Sequence, residues 1–154
     1  MIIVECTFFI IFEGVKHFFL SMFYNQPVVP FKLKDLYHGL AESEGLIKSD
    51  KDNLIFEFQT KDNIIGVIKS DVKIVKIPLK DVNSIAIKKN IFYTKLIITF
   101  SNLTSTKNLP GGAQRELTLS IEKKNRDECI YFVSQVNVLL AELKLRDIEK
   151  NQYE

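Results

Sequence analysis

Two periods divide the chain. Between Gly39 and Lys124 apolar residues recur at every second position in short runs, and beyond Asn125 they recur at every third or fourth. The first pattern belongs to strands and the second to a helix. NLIFEFQT, Asn53 to Thr60, places Leu54, Phe56 and Phe58 on one face and Ile55, Glu57 and Gln59 on the other. Lys61-Asp62-Asn63 reads as a turn before IIGVIKS, Ile64 to Ser70. In KIVKIPLK, Ile74 and Lys76 share one face, and Val75, Ile77 and Leu79 the other. Pro78 has no N–H to give a ladder, so that strand stops there or lies at an edge. GLIKS, before Asp50, reads as the first strand, and SIAIKKN, KLIITFSN and RELTLSIEK supply three more from near Ser84, Lys95 and Arg115. About seven strands with short connections and no intervening helix predict an antiparallel sandwich or partly open barrel.

The final element is a helix. Asn125 stands at the cap position with Glu128 three residues on, the arrangement of a capping box. Cys129, Phe132, Val133, Val136, Leu139, Leu140 and Leu143 then form one stripe for the core. Tyr131, Val138 and Leu145 form a second line at seven-residue intervals, on the opposite side. They are either isolated surface apolars or an interface for a second copy, a partner, or the chain's own start.

That start is unlike the rest. Residues 1–30 carry charge only at Glu5, Glu13 and Lys16, and Val4, Phe8, Ile11, Val15, Phe18 and Met22 fall on one helical face. The charges interrupt the run well short of the ~20 apolar residues of a membrane span, and no basic residue precedes it as in a secretory leader. Three readings remain: a helix docked on the domain or a partner, a helix lying in a membrane interface, and an extension upstream of a true start at Met22. Residues 31–148 then make the domain and 149–154 a polar tail.

Composition narrows the function classes. The 154 residues are 46% hydrophobic and 26% charged, enough for one domain with a core. With 21 basic and 19 acidic residues the net charge is +2, which argues against nucleic acid as a partner. Cys6 and Cys129 lie apart in apolar surroundings and read as buried thiols of a reducing compartment, hence a cytoplasmic protein. The only histidines are His17 and His38, and no metal-binding or nucleophile motif is present, so no catalytic residue, metal or cofactor is expected. Glu42 and Glu44 can share a strand face, but with no partner nucleophile they read as solvated. Pro110-Gly111-Gly112 lacks the spacing of a phosphate loop and reads as part of a flexible connection, Thr104 to Gln114.

IPLKDVNSIAIKKN and NRDECIYFVSQVNVLL together carry a resemblance. Strands closed by one amphipathic C-terminal helix, with a hydrophobic-Pro-Leu strand pair and a leucine-rich helix end, resemble the pleckstrin-homology superfold, in particular small bacterial domains of that type. The resemblance covers roughly Gly39 to Leu145. It implies a non-enzymatic module for binding proteins or peptides or for self-association. The superfold's phosphoinositide binders carry a lysine in the first strand and a basic-x-arginine pair in the second. Lys48 matches the lysine, but Glu57-Phe58-Gln59 stands where the pair belongs, which argues against that ligand. A peripheral membrane role is the alternative, using the Phe-rich start with Lys88, Lys89 and Lys95 as a weak anion patch around the Asn90-to-Thr94 turn.

Overall fold

A computed structural model describes residues 26–36, 38–62 and 70–152. Among the described residues seven strands form one antiparallel sheet, and one long helix follows them. The strands are β1 (Val29–Leu36), β2 (Ala41–Ser49), β3 (Asn53–Asp62), β4 (Lys73–Pro78), β5 (Val82–Lys89), β6 (Thr94–Phe100) and β7 (Glu116–Ile121); the helix α1 spans Arg126–Gln152. Their order in the sheet is β4-β3-β2-β1-β7-β6-β5. Two meanders of sequential neighbours therefore meet where β1 pairs with β7, with Lys32 opposite Ser120.

Alternation produces this sheet directly. Along β6 every second residue is buried, from Thr94 through Leu96 and Ile98 to Phe100. On β3 the face holding Leu54, Phe56 and Phe58 is buried, and Phe56 meets Phe31 of β1 edge to face at 6.3 Å. Ile77 and Leu79 turn inward on and after β4, Ile74 and Lys76 outward, and Pro78 closes the strand at one edge of the sheet. One hydrophobic core takes residues from both meanders and from α1, where Cys129, Phe132 and Val136 are fully enclosed. The helix packs on β5, on the 3-10 turn Leu79–Asp81 and on β1, so it covers both meanders. Among the described residues no helix is long and apolar enough to cross a membrane.

Three expectations change. The first strand is Val29–Leu36 and not GLIKS, which is the second half of β2. Val29, Phe31 and Leu33 alternate with Pro30, Lys32 and Lys34, and Val29 and Phe31 are buried in the core. Lys61 and Asp62 belong to β3, opposite Glu42 and Ala41, because β2 begins early enough to pair with them. An ion pair from Lys61 to Glu44 reinforces that extension. Asn125 lies in a 3-10 turn, Lys123–Asn125, and its N–H donates to the Glu122 carbonyl at 3.0 Å, so the helix is entered through that turn. The strand expected at Ile64 to Ser70 falls outside the described residues except for Ser70, whose hydroxyl accepts the Thr60 N–H at 2.9 Å. The amphipathic segment at the start of the chain also lies outside them.

Two details fix the sheet, one at the seam between the meanders and one within the first of them. Lys32 of β1 reaches Glu122, just past β7, at 2.8 Å, and Lys124 reaches the other carboxylate oxygen at 3.0 Å. The hydrogen bond from Lys32, and then that from Lys124, holds the Glu122 carboxyl down to about 2. Gly45 of β2 lies opposite Phe58. A Cβ there would stand 2.1 Å from the Glu57 carbonyl oxygen and 2.7 Å from the Phe58 Cα, so only glycine lets these two strands approach.

Gly45→Ala is expected to destabilise by about 1–3 kcal/mol or more, because the obstructing atoms are backbone and cannot swing aside. A thermal melt of the variant against the parent checks this. The Glu122 carboxyl sits below its ordinary value of 4.5, so its share of stability is complete above that pH and is lost as pH falls through about 2. Urea midpoints measured across this window should fall for the parent and fall less steeply for Glu122→Gln.

Candidate functional site

Large apolar side chains stand in solvent at several points of the described surface, Leu40, Val72 and Ile74 among them, and two groupings stand out. One is the outer face of α1. Tyr131, Val138 and Leu145 are 46%, 55% and 60% exposed, and Ile148, which sequence reading passed over, is 54% exposed and extends the line. The core stripe ends at Leu143, and Lys144 through Asn151 are all exposed. The last two turns of the helix thus project past the core and carry Leu145 and Ile148 with them. The Tyr131 hydroxyl accepts from Gln135 Nε2 at 2.6 Å, which holds the ring along the helix.

A groove of about 270 Å³ runs beside this face. Its walls are the β2–β3 turn (Ser49, Asp50 and Lys51) and Ser134, Gln135, Val138 and Leu139 of α1, with Gln26 at one end. Asp50 is committed to shaping the turn: its Oδ1 accepts the N–H groups of Asp52 at 2.8 Å and Asn53 at 2.7 Å. Partial burial would raise its pKa, but those two donors outweigh it and the net shift is downward. A carboxylate held ionised by its own turn is a poor proton carrier near neutral pH.

The second place is the β5–β6 hairpin. Its loop is Asn90-Ile91-Phe92-Tyr93, closed by the Asn90 N–H donating to the Tyr93 carbonyl at 2.8 Å. Ile91 and Phe92 are 75% and 84% exposed. Lys88 and Lys89 are exposed on β5, and Lys88 lies directly opposite Lys95 on β6. The structure thus brings the three expected lysines together, below an apolar tip. Lys95 Nζ lies 5.4 Å from the centre of the Tyr93 ring. Arg126, at the start of α1, braces the hairpin through Nε to Thr94 Oγ1 and Nη2 to the Asn90 carbonyl, both at 2.8 Å. The signal for this tip was in the sequence, since Ile-Phe-Tyr is an unusual filling for a tight turn.

The other candidates are used up structurally. Glu44 is paired with Lys61, and Glu42 stands opposite that lysine in the ladder. Lys48 Nζ donates to Glu57 Oε1 at 2.5 Å. Lys48 lies on β2 and Glu57 on β3, so the match made to a first and second strand is displaced by one strand. The loop from Thr104 to Gln114, expected to be flexible, is pinned at its centre. Thr106 and Leu109 are buried, the Thr106 hydroxyl accepts the Gln114 N–H at 3.1 Å, and Ser105 donates to Asp81. The Gly112 N–H is taken by the Leu109 carbonyl at 2.9 Å, so that amide is not held out for a phosphate. His38 occupies the β1–β2 turn in the left-handed region, with φ of 62°, followed by Gly39 at 85°. Among the described residues no three His, Cys, Asp or Glu side chains gather as metal ligands.

No family model, curated protein or solved structure matches the chain.

Cys129 is free and fully buried, and burial pushes its thiol up to about 11. Thiol alkylation of the native protein at mildly alkaline pH should leave Cys129 unmodified, and denaturant should expose it. Peptide mapping by mass spectrometry reads the two states, and rapid native labelling of Cys129 would contradict its burial.

Proposed function

We propose that this chain is a non-enzymatic binding module of pleckstrin-homology-like type that self-associates through the outer face of α1. The strand order supports the fold assignment: four strands in one meander, three in the next, and a single C-terminal helix covering both. With the first strand at Val29, the positions of the phosphoinositide pattern fall on β1 and β2. β1 has lysines at 32 and 34, but β2 reads AESEGLIKS, with no arginine and with two acids in its first half. Lys32 is moreover engaged by Glu122. A headgroup needs fixed cationic donors, and these strands present carboxylates.

The observation that carries the self-association reading is the apolar line Tyr131, Val138, Leu145 and Ile148 on a helix that outruns its own core. A helix serving only to cover the sheet could stop after Leu143. From Tyr131 to Ile148 the line spans about 26 Å at the usual rise per residue. Tyr131, Val138 and Leu145 at seven-residue steps, with Ile148 three residues further on, suit side-by-side packing of two such helices. A twofold pairing would place the same line from each copy against the other. A cytoplasmic setting fits the free buried thiol at Cys129.

Sedimentation equilibrium should show a concentration-dependent dimer for the parent. Val138→Asp combined with Leu145→Asp should give a monomer with an unchanged thermal melt, because both positions are exposed and a buried charge opposes only the interface. A parent that stays monomeric at its highest soluble concentration, or a dimer indifferent to both changes, would refute this reading.

A further inference from the structure

We infer that the β5–β6 hairpin is a membrane-docking tip that inserts Ile91 and Phe92 into the interface of an anionic bilayer. The inference stands apart from self-association, since none of its residues belongs to the outer line of α1.

Three observations carry it. The tip holds the two most exposed large apolar side chains among the described residues, Ile91 and Phe92, and they neighbour each other in one loop. A loop that only reverses the chain gains nothing from either residue and would be served by polar ones. Three lysines collar the strands just behind the tip. Lys88 and Lys95 are directly opposite each other, an arrangement that costs stability through like-charge repulsion, and among the described residues no carboxylate pairs with Lys88, Lys89 or Lys95. An external anionic surface supplies the missing counter-charge. Finally, the tip is held rigidly. Arg126 clamps the loop carbonyl of Asn90 and the hydroxyl of Thr94, so inserting the tip requires no ordering of a loose loop.

The geometry favours a bilayer over a protein pocket. The feature is a hairpin tip, with an apolar point and cations set two or three residues back. A bilayer presents those layers in the same order, acyl chains below and phosphates above. Tyr93, half out of the structure and with Lys95 against its ring, supplies the amphipathic side chain that suits the headgroup level. Insertion to about 5–10 Å would seat Ile91 and Phe92 below the phosphates and leave the lysine heads among them.

The test is co-sedimentation of the full chain with phosphatidylcholine vesicles, with and without phosphatidylserine, at low and high salt. Binding should require phosphatidylserine and weaken with salt. Ile91→Ser with Phe92→Ser should reduce it by at least about tenfold. Lys88→Gln, Lys89→Gln and Lys95→Gln together should reduce it by roughly a hundredfold, at about fivefold per lysine. All these positions lie at or near the surface, and a thermal melt verifies that each variant is folded. Val138→Asp with Leu145→Asp should still bind as a monomer, apart from a loss of avidity, so failure of the self-association reading is distinguishable from failure of this one. No binding by the parent overturns the proposal. So does binding that survives the Ile91/Phe92 change, which would move the contact to another part of the chain. Binding indifferent to phosphatidylserine and salt overturns the role of the lysine collar.

Discussion

The fold depends on the pairing of β1 with β7. Each meander on its own is a short antiparallel ribbon with one apolar face and nothing to bury it against. Joined at Lys32 and Ser120, the two ribbons become one sheet whose inward residues share a core, and α1 can then lie across both. The seam is formed by few residues, and the ion pairs of Glu122 with Lys32 and Lys124 fasten it at the surface. Such exposed pairs contribute little energy individually. Their value here is register: a slip of β1 by one residue would turn Val29 and Phe31 outward.

Once the seam is set, the positions of the two exposed apolar features follow. The helix must start close to the β5–β6 hairpin, because Arg126 reaches both Asn90 and Thr94. It must then run over β5 and β1 with Cys129, Phe132 and Val136 facing inward. That rotation leaves Tyr131, Val138 and Leu145 on the far side, and the length of α1 carries Ile148 beyond the sheet. The hairpin tip and the overhanging helix end therefore lie at opposite ends of one rigid rod. The two features use different residues, and a dimer formed along the outer line of α1 would present two tips, which would strengthen attachment through avidity.

Most of the secondary structure was legible because burial obeys the same periods as the sequence. β3, β4, β6 and the core stripe of α1 were each readable from alternation or helical spacing, with Pro78 correctly marking a strand end. β1 was missed although Val29, Phe31 and Leu33 alternate properly. Pro30 and the charges at Lys32, Lys34 and Asp35 made it resemble a linker, and it gains its partners only from β2 and β7. Missing it displaced the carry-over of headgroup residues by a strand. The extension of β3 through Lys61 and Asp62 was hidden for the same reason, since polar residues continue a ladder only where a neighbour is present to pair with them.

Of the candidate sites, the outer helix line was visible from spacing, and the lysines near the turn were visible as charge. The apolar tip between those lysines was not weighed, because an isolated Ile-Phe-Tyr in a sequence is as consistent with burial as with display. The sequence by itself determined the cores of β3, β4 and β6 and the buried stripe of the helix, since apolar period is a local property of the chain, whereas β1 and the polar end of β3 needed their neighbours. Only the tertiary structure decided which apolar residues were left outside. Exposure depends on which surfaces remain after distant segments have packed: Phe56 and Phe92 are the same side chain, one enclosed against Phe31 and the other standing in solvent.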